Sequence, residues 1–208
     1  MAGKAGAANL KVWGISATII FAATAVCVAT GVTDGLDRAS MLALRGGEPA
    51  ATTVSAITAI TDIGASIVRL PVALVAVALL CAVRRFPAAW FIAVAVTGGL
   101  ILTGLLKLIF ARPRPDLMPH LQQVTSTGFP SGHALGATVT YGALAIVIGC
   151  MDDRYRRSAM AFVILLVGII GLTRIYLGVH MLTDVVAGWS VGVAWLALCL
   201  AFARQRRA

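Results

Sequence analysis

A histidine and an aspartate lie four positions apart in the stretch Arg174 to Asp184, which reads RIYLGVHMLTD. On a helix, His180 and Asp184 would share a face, so that the carboxylate could accept a hydrogen bond from one ring nitrogen. Such a bond fixes the tautomer of the histidine and raises the basicity of its other nitrogen. A histidine prepared in this way acts as a nucleophile or a base. A buried polar pair that joins two helices would explain the same spacing.

A second segment, KLIFARPRPD, places cations beside a stiff loop. Lys107 lies near the end of an apolar run, and Pro113 and Pro115 force the chain out of a helix, so that Arg112 and Arg114 project from the loop. These cations could bind a phosphate group. Snorkelling of the lysine to lipid headgroups and binding of anionic lipid by the arginines explain this segment alone equally well.

A third segment, GFPSGH, has the form of a helix start. Pro130, Ser131 and Gly132 form a turn and an N-cap, which leaves backbone N–H groups of the following helix unpaired. A helix N-terminus of this kind binds anions. His133 would stand in the first turn, beside a bound anion. A capped helix start with an incidental histidine is the alternative interpretation.

The composition shows what kind of scaffold must carry these segments. The chain has 208 residues, 60% of them hydrophobic and 12% charged, and a mean hydropathy of +0.94. These values are typical of an integral membrane protein and not of a soluble domain. Because about 20 apolar residues cross a bilayer as a helix, we predict an all-α bundle of about six transmembrane helices, forming a single domain over residues 1–208.

The predicted spans follow from apolar length, Gly/Pro punctuation and charged breaks. They are residues 12–33, 66–83, 90–110, 133–151, 158–177 and 181–203. The first is too long for the apolar region of a signal peptide, so we expect a retained helix. The four cysteines have no metal-like spacing and fit best as small apolar fillers: Cys27, Cys81, Cys150 and Cys199.

Basic residues concentrate in the short connections on one side of these spans. That side carries ten of the seventeen: Lys4, Lys11, Arg84, Arg85, Arg154, Arg156, Arg157, Arg204, Arg206 and Arg207. The positive-inside rule places it in the cytoplasm, together with both termini. The net charge of +9 therefore reflects topology, and we expect no nucleic-acid partner.

The region between the first two spans is less decisive. Leu36 to Arg45 mixes apolar and charged residues at helical spacing and could lie along the membrane interface, although a solvated loop with some helix fits equally well. Residues 50–65 are too polar for a confident span and too apolar for an ordinary loop. Asp62 and Arg69 are seven positions apart, which predicts an ion pair on one helix face.

In the last span, Gly188 and Gly192 form a GxxxG pattern. This pattern favours close helix packing inside the bundle over dimerisation, and the oligomeric state is not predicted.

The parity of the spans brings the three segments to one face of the membrane. Outbound spans end near Lys107 and Arg174, and inbound spans begin near His133 and His180. Three cations, two histidines, an aspartate and a helix N-terminus would then converge on one outer pocket. Phosphoryl transfer needs this set: donors for the equatorial oxygens, an in-line nucleophile and a proton donor for the leaving oxygen.

These residues resemble the three signature motifs of the type 2 phosphatidic acid phosphatase superfamily. The matching patterns are Lys107-x6-Arg114-Pro115, Pro130-Ser131-Gly132-His133 and Arg174-x5-His180-x3-Asp184. The six-span arrangement is similar to the membrane branch of that superfamily over most of the chain. One position departs, since Thr173 stands where the third motif usually has serine. A hydroxyl remains there, so we expect phosphate binding to survive.

The resemblance implies roles for the matched residues. His180 would be the nucleophile that forms a phosphohistidine, and Asp184 would orient it. His133 would protonate the leaving group and then activate water. The phosphoryl oxygens would be held by Lys107, Arg114, Ser131, the Gly132 amide and Arg174.

The resemblance implies neither a metal nor another cofactor, and the acidic residues form no cluster suited to Mg²⁺. Arg112 and His120 lie in the same loop outside the matched positions, as possible headgroup contacts.

We therefore expect a membrane lipid phosphatase that acts on a lipid substrate at the outer, periplasmic face of a bacterial inner membrane. The motifs do not separate undecaprenyl diphosphate from phosphatidylglycerophosphate, phosphatidic acid or a lipid A phosphate. Transfer of the phosphate to another acceptor remains an alternative, as does a catalytically inactive relative. A transporter is disfavoured because its charges would be spread through the membrane depth rather than collected at one end.

Overall fold

The computed structural model describes the backbone of residues 2–205 and the side chains from Leu10 to Gln205. This part of the chain is all-helical and has no strand, which confirms the predicted fold class. Its α-helices are α1 (Ala2–Thr30), α2 (Asp34–Arg45), α3 (Ala51–Asp62), α4 (Ser66–Ala82), α5 (Phe86–Phe110), α6 (Gly132–Met151), α7 (Arg156–Tyr176) and α8 (Leu182–Gln205), with a 3₁₀ turn at Asp153–Tyr155.

Six helical segments of the described chain are long and apolar enough to cross a membrane. They are Leu10–Thr30, Ala51–Ala82, Phe86–Phe110, Gly132–Met151, Asp153–Tyr176 and Leu182–Gln205. The predicted number of spans is therefore confirmed. Placement of both ends of the described chain on the same side stays a prediction that follows from the even number of spans. The assignment of that side to the cytoplasm stays a prediction, and among its supporting charges the side chains of Lys4, Arg206 and Arg207 lie outside the described residues.

The second span differs from the prediction. It begins at Ala51, because α3 and α4 form one apolar segment with a break at residues 63–65. The sequence left residues 50–65 undecided between a span and a loop, and the structure makes residues 51–62 a helix within this candidate span. A helix tolerates the hydroxyl side chains of this segment because they can bond to its own backbone or to a neighbour. Thr61, for example, is fully buried where α3 packs against α7.

The predicted ion pair between Asp62 and Arg69 was also wrong. The break between α3 and α4 removes the continuous helical register that would align the two side chains. Arg69 is buried, donates to Ser66 Oγ at 3.0 Å and packs over Gly136 of α6. Asp62 instead accepts a hydrogen bond from Gln122 in the outer loop, at 3.5 Å.

The segment after α1 is a regular helix, α2, as the amphipathic spacing indicated. Its inner face carries Asp37 and Met41, both fully buried one turn apart, and packs on α7 and α8. Its other face exposes Leu36 and Leu42. Contact between that face and the membrane interface stays a prediction.

The centre of the bundle is α6, which packs against α4, α5, α7 and α8. Its crossing with α8 depends on the GxxxG glycines. A Cβ added at Gly188 would lie 2.7 Å from the Ser131 carbonyl oxygen, and one added at Gly192 would lie 2.7 Å from Thr138 Cβ. The predicted role of these glycines in close packing within the bundle is confirmed.

Three phenylalanines fix the loop segment that leads into α6. Phe129 is fully buried, with its ring centroid 4.7 Å from that of Phe110 on α5 and 6.1 Å from that of Phe21 on α1. This cluster anchors the residues just before Pro130 and Ser131. The start of α6 is therefore held against the end of α5, through Phe110, and against the inner part of α1, through Phe21.

Candidate active site

The loop between α5 and α6 folds back on itself over the ends of α7 and α8. The N–H of Gly128 donates to the carbonyl of Arg112 at 2.7 Å, which joins the two ends of the loop. In the middle, the N–H of Leu121 donates to the carbonyl of Leu177 at 3.0 Å. The cations of this loop are thereby placed next to the turn that carries His180.

The start of α6 has the capped form that the sequence indicated. Ser131 is the N-cap, and its hydroxyl oxygen accepts from the N–H of Ala134 at 3.5 Å. The N–H of Ser131 donates to the carbonyl of Asp184 at 2.9 Å. This bond ties the first turn of α6, including His133, to the first turn of α8.

His180 lies in the turn before α8, whose first helical residue is Leu182. The helix thus begins one residue after the predicted start at residue 181, and His180 and Asp184 do not share a face of one helix. Gly178 adopts φ +77° in this turn, a conformation that favours glycine, and the chain reverses there before the helix begins. The contact itself is present, since His180 Nδ1 is 3.4 Å from Asp184 Oδ2. The same carboxylate oxygen accepts from the N–H of Met181 at 2.9 Å.

The other ring nitrogen of His180 faces a cation. Arg114 Nη1 lies 3.3 Å from His180 Nε2 and also donates to the carbonyl of Val179 at 2.6 Å. A guanidinium can only donate, so Nε2 must be the acceptor and Nδ1 must carry the hydrogen that points to Asp184. The lone pair of a neutral imidazole is thus directed from Nε2 into the group of cations.

The surroundings of His180 keep it neutral. The side chain is 2% exposed, and this burial lowers its pKa to about 4, although the hydrogen bond to Asp184 opposes the shift. Burial also lowers the pKa of Arg114, and the charge of Asp184 counteracts it. At neutral pH the pair therefore consists of an uncharged imidazole and a charged guanidinium.

Ser126 gathers two of the predicted phosphate-binding cations. Its hydroxyl oxygen accepts from Lys107 Nζ at 3.3 Å and from Arg114 Nη2 at 3.2 Å. Lys107 also donates to the carbonyl of Thr127, and Arg114 Nε donates to the carbonyl of Ser126 at 2.7 Å. The side chains of Lys107, on α5, and Arg114, in the following loop, therefore meet at the Ser126 hydroxyl.

Arg174 is held from the opposite side. It is 1% exposed, and Nη1 donates to Gln122 and, at 3.3 Å, to the hydroxyl of Thr61 on α3. Its Nε is buried and has no hydrogen-bond partner in the described chain, and the same is true of His133 Nε2. These two nitrogens are available to an oxygen of a bound ligand.

The predicted site residues come together in the structure. His133 lies within electrostatic range of Arg174, His180 and Arg114, and Lys107 lies within range of Arg114, Arg174 and Asp184. Ser131 and Gly132 stand at the α6 N-terminus, with Gly132 beside Thr103 and Lys107 of α5. The individual roles of these residues stay predictions.

Thr173, which stands in place of the usual motif serine, is turned towards its own helix. Its hydroxyl donates to the carbonyl of Ile170 at 2.6 Å. The extra methyl group is accommodated in a buried position on α7.

The sequence did not predict the network of Arg112, Thr183 and Asp37 that supports Asp184. Arg112 Nη1 donates to Asp184 Oδ1 at 2.7 Å and to Thr183 Oγ1 at 2.9 Å, and Arg112 Nη2 donates to Asp37 Oδ2 at 3.0 Å. Burial opposes ionisation, but Asp184 and Asp37 together raise the pKa of Arg112. The suggested headgroup role of Arg112 was therefore wrong, because its guanidinium points into the protein. His120 Nε2 lies 2.7 Å from the carbonyl oxygen of Pro115.

Among the described residues, no group of three or more His, Cys, Asp or Glu side chains is arranged to hold a metal ion. The four cysteines are free thiols, and Cys199 is buried in the core. Independence from metals and cofactors stays a prediction.

Comparison with known proteins gives a consistent result. A family model described as the PAP2 superfamily matches residues 88–208. Phosphatidylglycerophosphatase B of Bacillus subtilis is 32% identical over 105 residues, which are 49% of this chain and 51% of that protein. Lipid A 1-phosphatase of Rhizobium johnstonii is 34% identical over 115 residues, which are 51% of this chain and 43% of that protein. The matched regions thus span about half the length of these curated relatives.

Two solved structures share the fold. The crystal structure of a transmembrane PAP2 type phosphatidylglycerolphosphate phosphatase from Bacillus subtilis superposes with a TM-score of 0.85 and 26% identity, over 92% of this chain and 96% of that one. Aquifex aeolicus LpxE superposes with a TM-score of 0.64 and 22% identity, over 80% of this chain and 95% of that one. The second likeness concerns the fold alone.

Proposed function

Since this chain belongs to the PAP2 superfamily, we propose that it is a membrane-bound phosphatase that removes a phosphate group from a lipid phosphate or diphosphate. The observation that carries the proposal is the alignment of Arg114, His180 and Asp184. It leaves a neutral imidazole with its Nε2 lone pair among cations. That is the arrangement expected of a histidine that attacks phosphorus.

In the first step, Nε2 of His180 attacks the phosphorus atom in line with the leaving oxygen. The N–P bond forms as the P–O bond to the lipid breaks, and His133 gives a proton to the leaving oxygen. Asp184 accepts the hydrogen bond from Nδ1–H and stabilises the positive charge that develops on the ring. The three remaining oxygens are held by Lys107, Arg114, Arg174 and the N-terminus of α6.

In the second step, water replaces His180. His133, now unprotonated, takes a proton from the water as its oxygen attacks phosphorus, and the N–P bond breaks. Inorganic phosphate leaves, and His180 returns to its neutral form. Each histidine is thereby restored, and the net reaction consumes one water molecule per phosphate released.

The substrate proposed first is a phospholipid that ends in a phosphate monoester, such as phosphatidylglycerophosphate or phosphatidic acid. Two comparisons support this choice: a curated relative and a superposed structure are both named for phosphatidylglycerophosphate. Lipid A 1-phosphate and undecaprenyl diphosphate also end in a phosphoryl group that these cations could bind, and in the diphosphate the bond broken would be a phosphoanhydride. The site lies at the end of the bundle where α5 and α7 end and α6 and α8 begin, and we propose that a lipid substrate reaches it from the membrane.

The proposed location is the periplasmic side of a bacterial inner membrane, with both termini in the cytoplasm. The support is the concentration of basic residues at the other end of the bundle, for example Arg84 and Arg85 between α4 and α5. Activity in sealed spheroplasts towards a substrate that cannot cross the membrane tests this orientation.

Phosphate release from a lipid panel tests the proposed reaction. Purified protein in detergent micelles is given phosphatidylglycerophosphate, phosphatidic acid, undecaprenyl diphosphate or lipid A 1-phosphate, with His180→Ala as the blank. Asp116→Asn, at an exposed position of the outer loop, is the matched control. We expect release from at least one lipid by wild type and the control, and none by the blank. Loss of phosphate from one lipid with its appearance on another acceptor would instead show a phosphotransferase.

A further inference from the structure

A buried network joins the outer helix α2 to the carboxylate that contacts His180. We propose that Asp37 and Arg112 are positioning residues, which hold Asp184 in the one orientation that presents its carboxylate to His180 Nδ1. The inference deepens the lipid phosphatase function proposed above and rests on it. Neither residue belongs to the three motifs that the sequence carries.

Arg112 bridges two carboxylates with its two terminal nitrogens. Nη1 donates to Asp184 Oδ1 at 2.7 Å, and Nη2 donates to Asp37 Oδ2 at 3.0 Å. Both carboxylates have side-chain exposures of 0%, and the arginine has 14%. Because a guanidinium is planar and rigid, the two bonds fix the direction from which Asp184 Oδ1 is approached.

Asp37 fixes the other end of this bridge by capping a helix to which it does not belong. Its Oδ1 accepts from the N–H of Thr183 at 2.9 Å, and its Oδ2 accepts from the Thr183 hydroxyl at 2.6 Å. The N–H of Thr183 lies in the first turn of α8, where backbone donors lack partners within the helix. A negative charge is favourable at this end of the helix. Asp37 therefore locks α2, Arg112 and the start of α8 together.

These contacts leave Asp184 with a single orientation. Its Oδ1 is directed to Arg112, whereas its Oδ2 accepts from the N–H of Met181 and faces His180 Nδ1. Rotation of the carboxylate would break the bonds on both oxygens. The ring of His180 is thus held with Nδ1–H towards Asp184 and Nε2 towards Arg114, as attack on phosphorus requires.

A purely stabilising role explains this network less well. Burying three charged groups costs desolvation energy that their attraction often only balances, so apolar residues of similar size would hold α2 as firmly. The charged residue of α2 in this network, Asp37, is also the one that is linked through Arg112 to Asp184. A positioning role accounts for both features.

The test compares kinetic constants of Asp37→Asn, Arg112→Lys and Arg112→Gln with those of wild type. Asp34→Asn is the matched control, because Asp34 is on the same helix, is 65% exposed and lies 3.9 Å from Arg112. For Asp37→Asn and Arg112→Gln we expect kcat to fall about 10- to 100-fold, the usual range for groups that orient a functional side chain. The Michaelis constant should stay within roughly twofold, because neither residue contacts substrate. Arg112→Lys should recover part of the loss, and Asp34→Asn should match wild type.

Two readouts separate positioning from mere destabilisation. In the Asp184→Asn background, Arg112→Gln should cause no further loss of kcat, because the arginine acts through that carboxylate. The acidic limb of the kcat/KM profile should move to higher pH in Arg112→Gln, since a cation near the His180–Asp184 pair is lost. Folding is judged by size exclusion and thermal unfolding in detergent. If the Arg112 variants do not fold, the kcat of Asp37→Asn, which conserves the shape of the side chain, tests the positioning role.

A wild-type kcat in folded Asp37→Asn and Arg112→Gln would overturn the inference. So would an equal loss of kcat when Arg112→Gln is introduced into wild type and into Asp184→Asn. Wild-type protein and His180→Ala are measured alongside. A wild type that releases no phosphate from any lipid contradicts the proposed function. An active wild type with unaffected network variants contradicts only the positioning role.

Discussion

Replacing Asp184 with asparagine removes one charge and almost no volume from the centre of the proposed site. In wild type, Asp184 only accepts: Oδ1 from Arg112 at 2.7 Å and Oδ2 from the N–H of Met181 at 2.9 Å, with His180 Nδ1 at 3.4 Å. An amide has one oxygen and one NH₂ group. Whichever way it is turned, its NH₂ group must face a donor.

Both orientations of that amide are unfavourable, and the second also changes the tautomer of His180. With NH₂ towards Arg112, a donor meets a donor in a fully buried place, which costs about 1–3 kcal/mol per unsatisfied group. With NH₂ towards Met181 and His180, the amide favours the tautomer that carries hydrogen on Nε2, and Nε2 then has no lone pair with which to attack phosphorus. Removal of an orienting carboxylate in comparable catalytic groups costs about 10³- to 10⁴-fold in kcat, equivalent to about 4–5.5 kcal/mol in the activation barrier. We expect a loss in this range for Asp184→Asn.

The assay is phosphate release at saturating lipid substrate, with thermal unfolding in detergent measured on the same preparations. Asp116→Asn makes the same chemical change at an exposed position of the outer loop and should leave kcat unchanged. If folded Asp184→Asn turned over within a few-fold of wild type, the tautomer argument for His180 would be wrong.

Three further predictions concern packing, pH and inhibition. Gly188→Ala should lower the stability of the bundle by about 1–3 kcal/mol, because its Cβ would lie 2.7 Å from a backbone oxygen. Gly168→Ala on α7, where an added Cβ would have nothing within 4 Å, should instead raise the stability by up to about 1 kcal/mol. Thermal unfolding of the two variants checks whether stability falls in the first and rises in the second. Because burial lowers the pKa of His180 to about 4 from an unfolded value near 6.5, the imidazole stays neutral until the pH approaches 4. Stability should therefore fall as the pH drops from about 6.5 towards 4, and kcat/KM should fall as the pH passes through about 4; loss of kcat/KM around pH 6.5 would contradict this. Vanadate, which mimics trigonal-bipyramidal phosphate, should inhibit phosphate release in the micromolar to millimolar range, whereas EDTA should not; an enzyme that is sensitive to EDTA and insensitive to vanadate would require metal chemistry.

The sequence predicted most of what lies on long elements. Six spans were expected and six are found, because apolar length is a local property that each helix shows by itself. The convergence of Lys107, His133 and Arg174 followed from the parity of the spans. The close packing at Gly188 and Gly192 followed from the absence of side chains there.

Two of the features that the sequence did not predict are contacts between segments that are distant in sequence, and a third is a local turn. Residues 51–62 belong to the second candidate span, and the polar Thr61 is accommodated there by a hydrogen bond from Arg174 of another helix. The bridge from Asp37 to Asp184 through Arg112 joins three segments that no periodicity connects. The position of His180 ahead of α8 depends on a turn at Gly178, and helix boundaries of this kind are poorly defined by sequence patterns.

The central claim is that His180 carries the phosphoryl group, and trapping that intermediate tests it most directly. The enzyme is mixed with its lipid substrate, quenched in alkali, where phosphohistidine survives, and digested with trypsin; mass spectrometry then follows the peptide of residues 175–204, which contains His180 as its only histidine. We predict a phosphoryl group on His180 that forms with substrate, disappears when substrate is exhausted and is missing from His180→Ala. Steady turnover with the phosphoryl group on another residue, or by His180→Ala itself, would contradict the account.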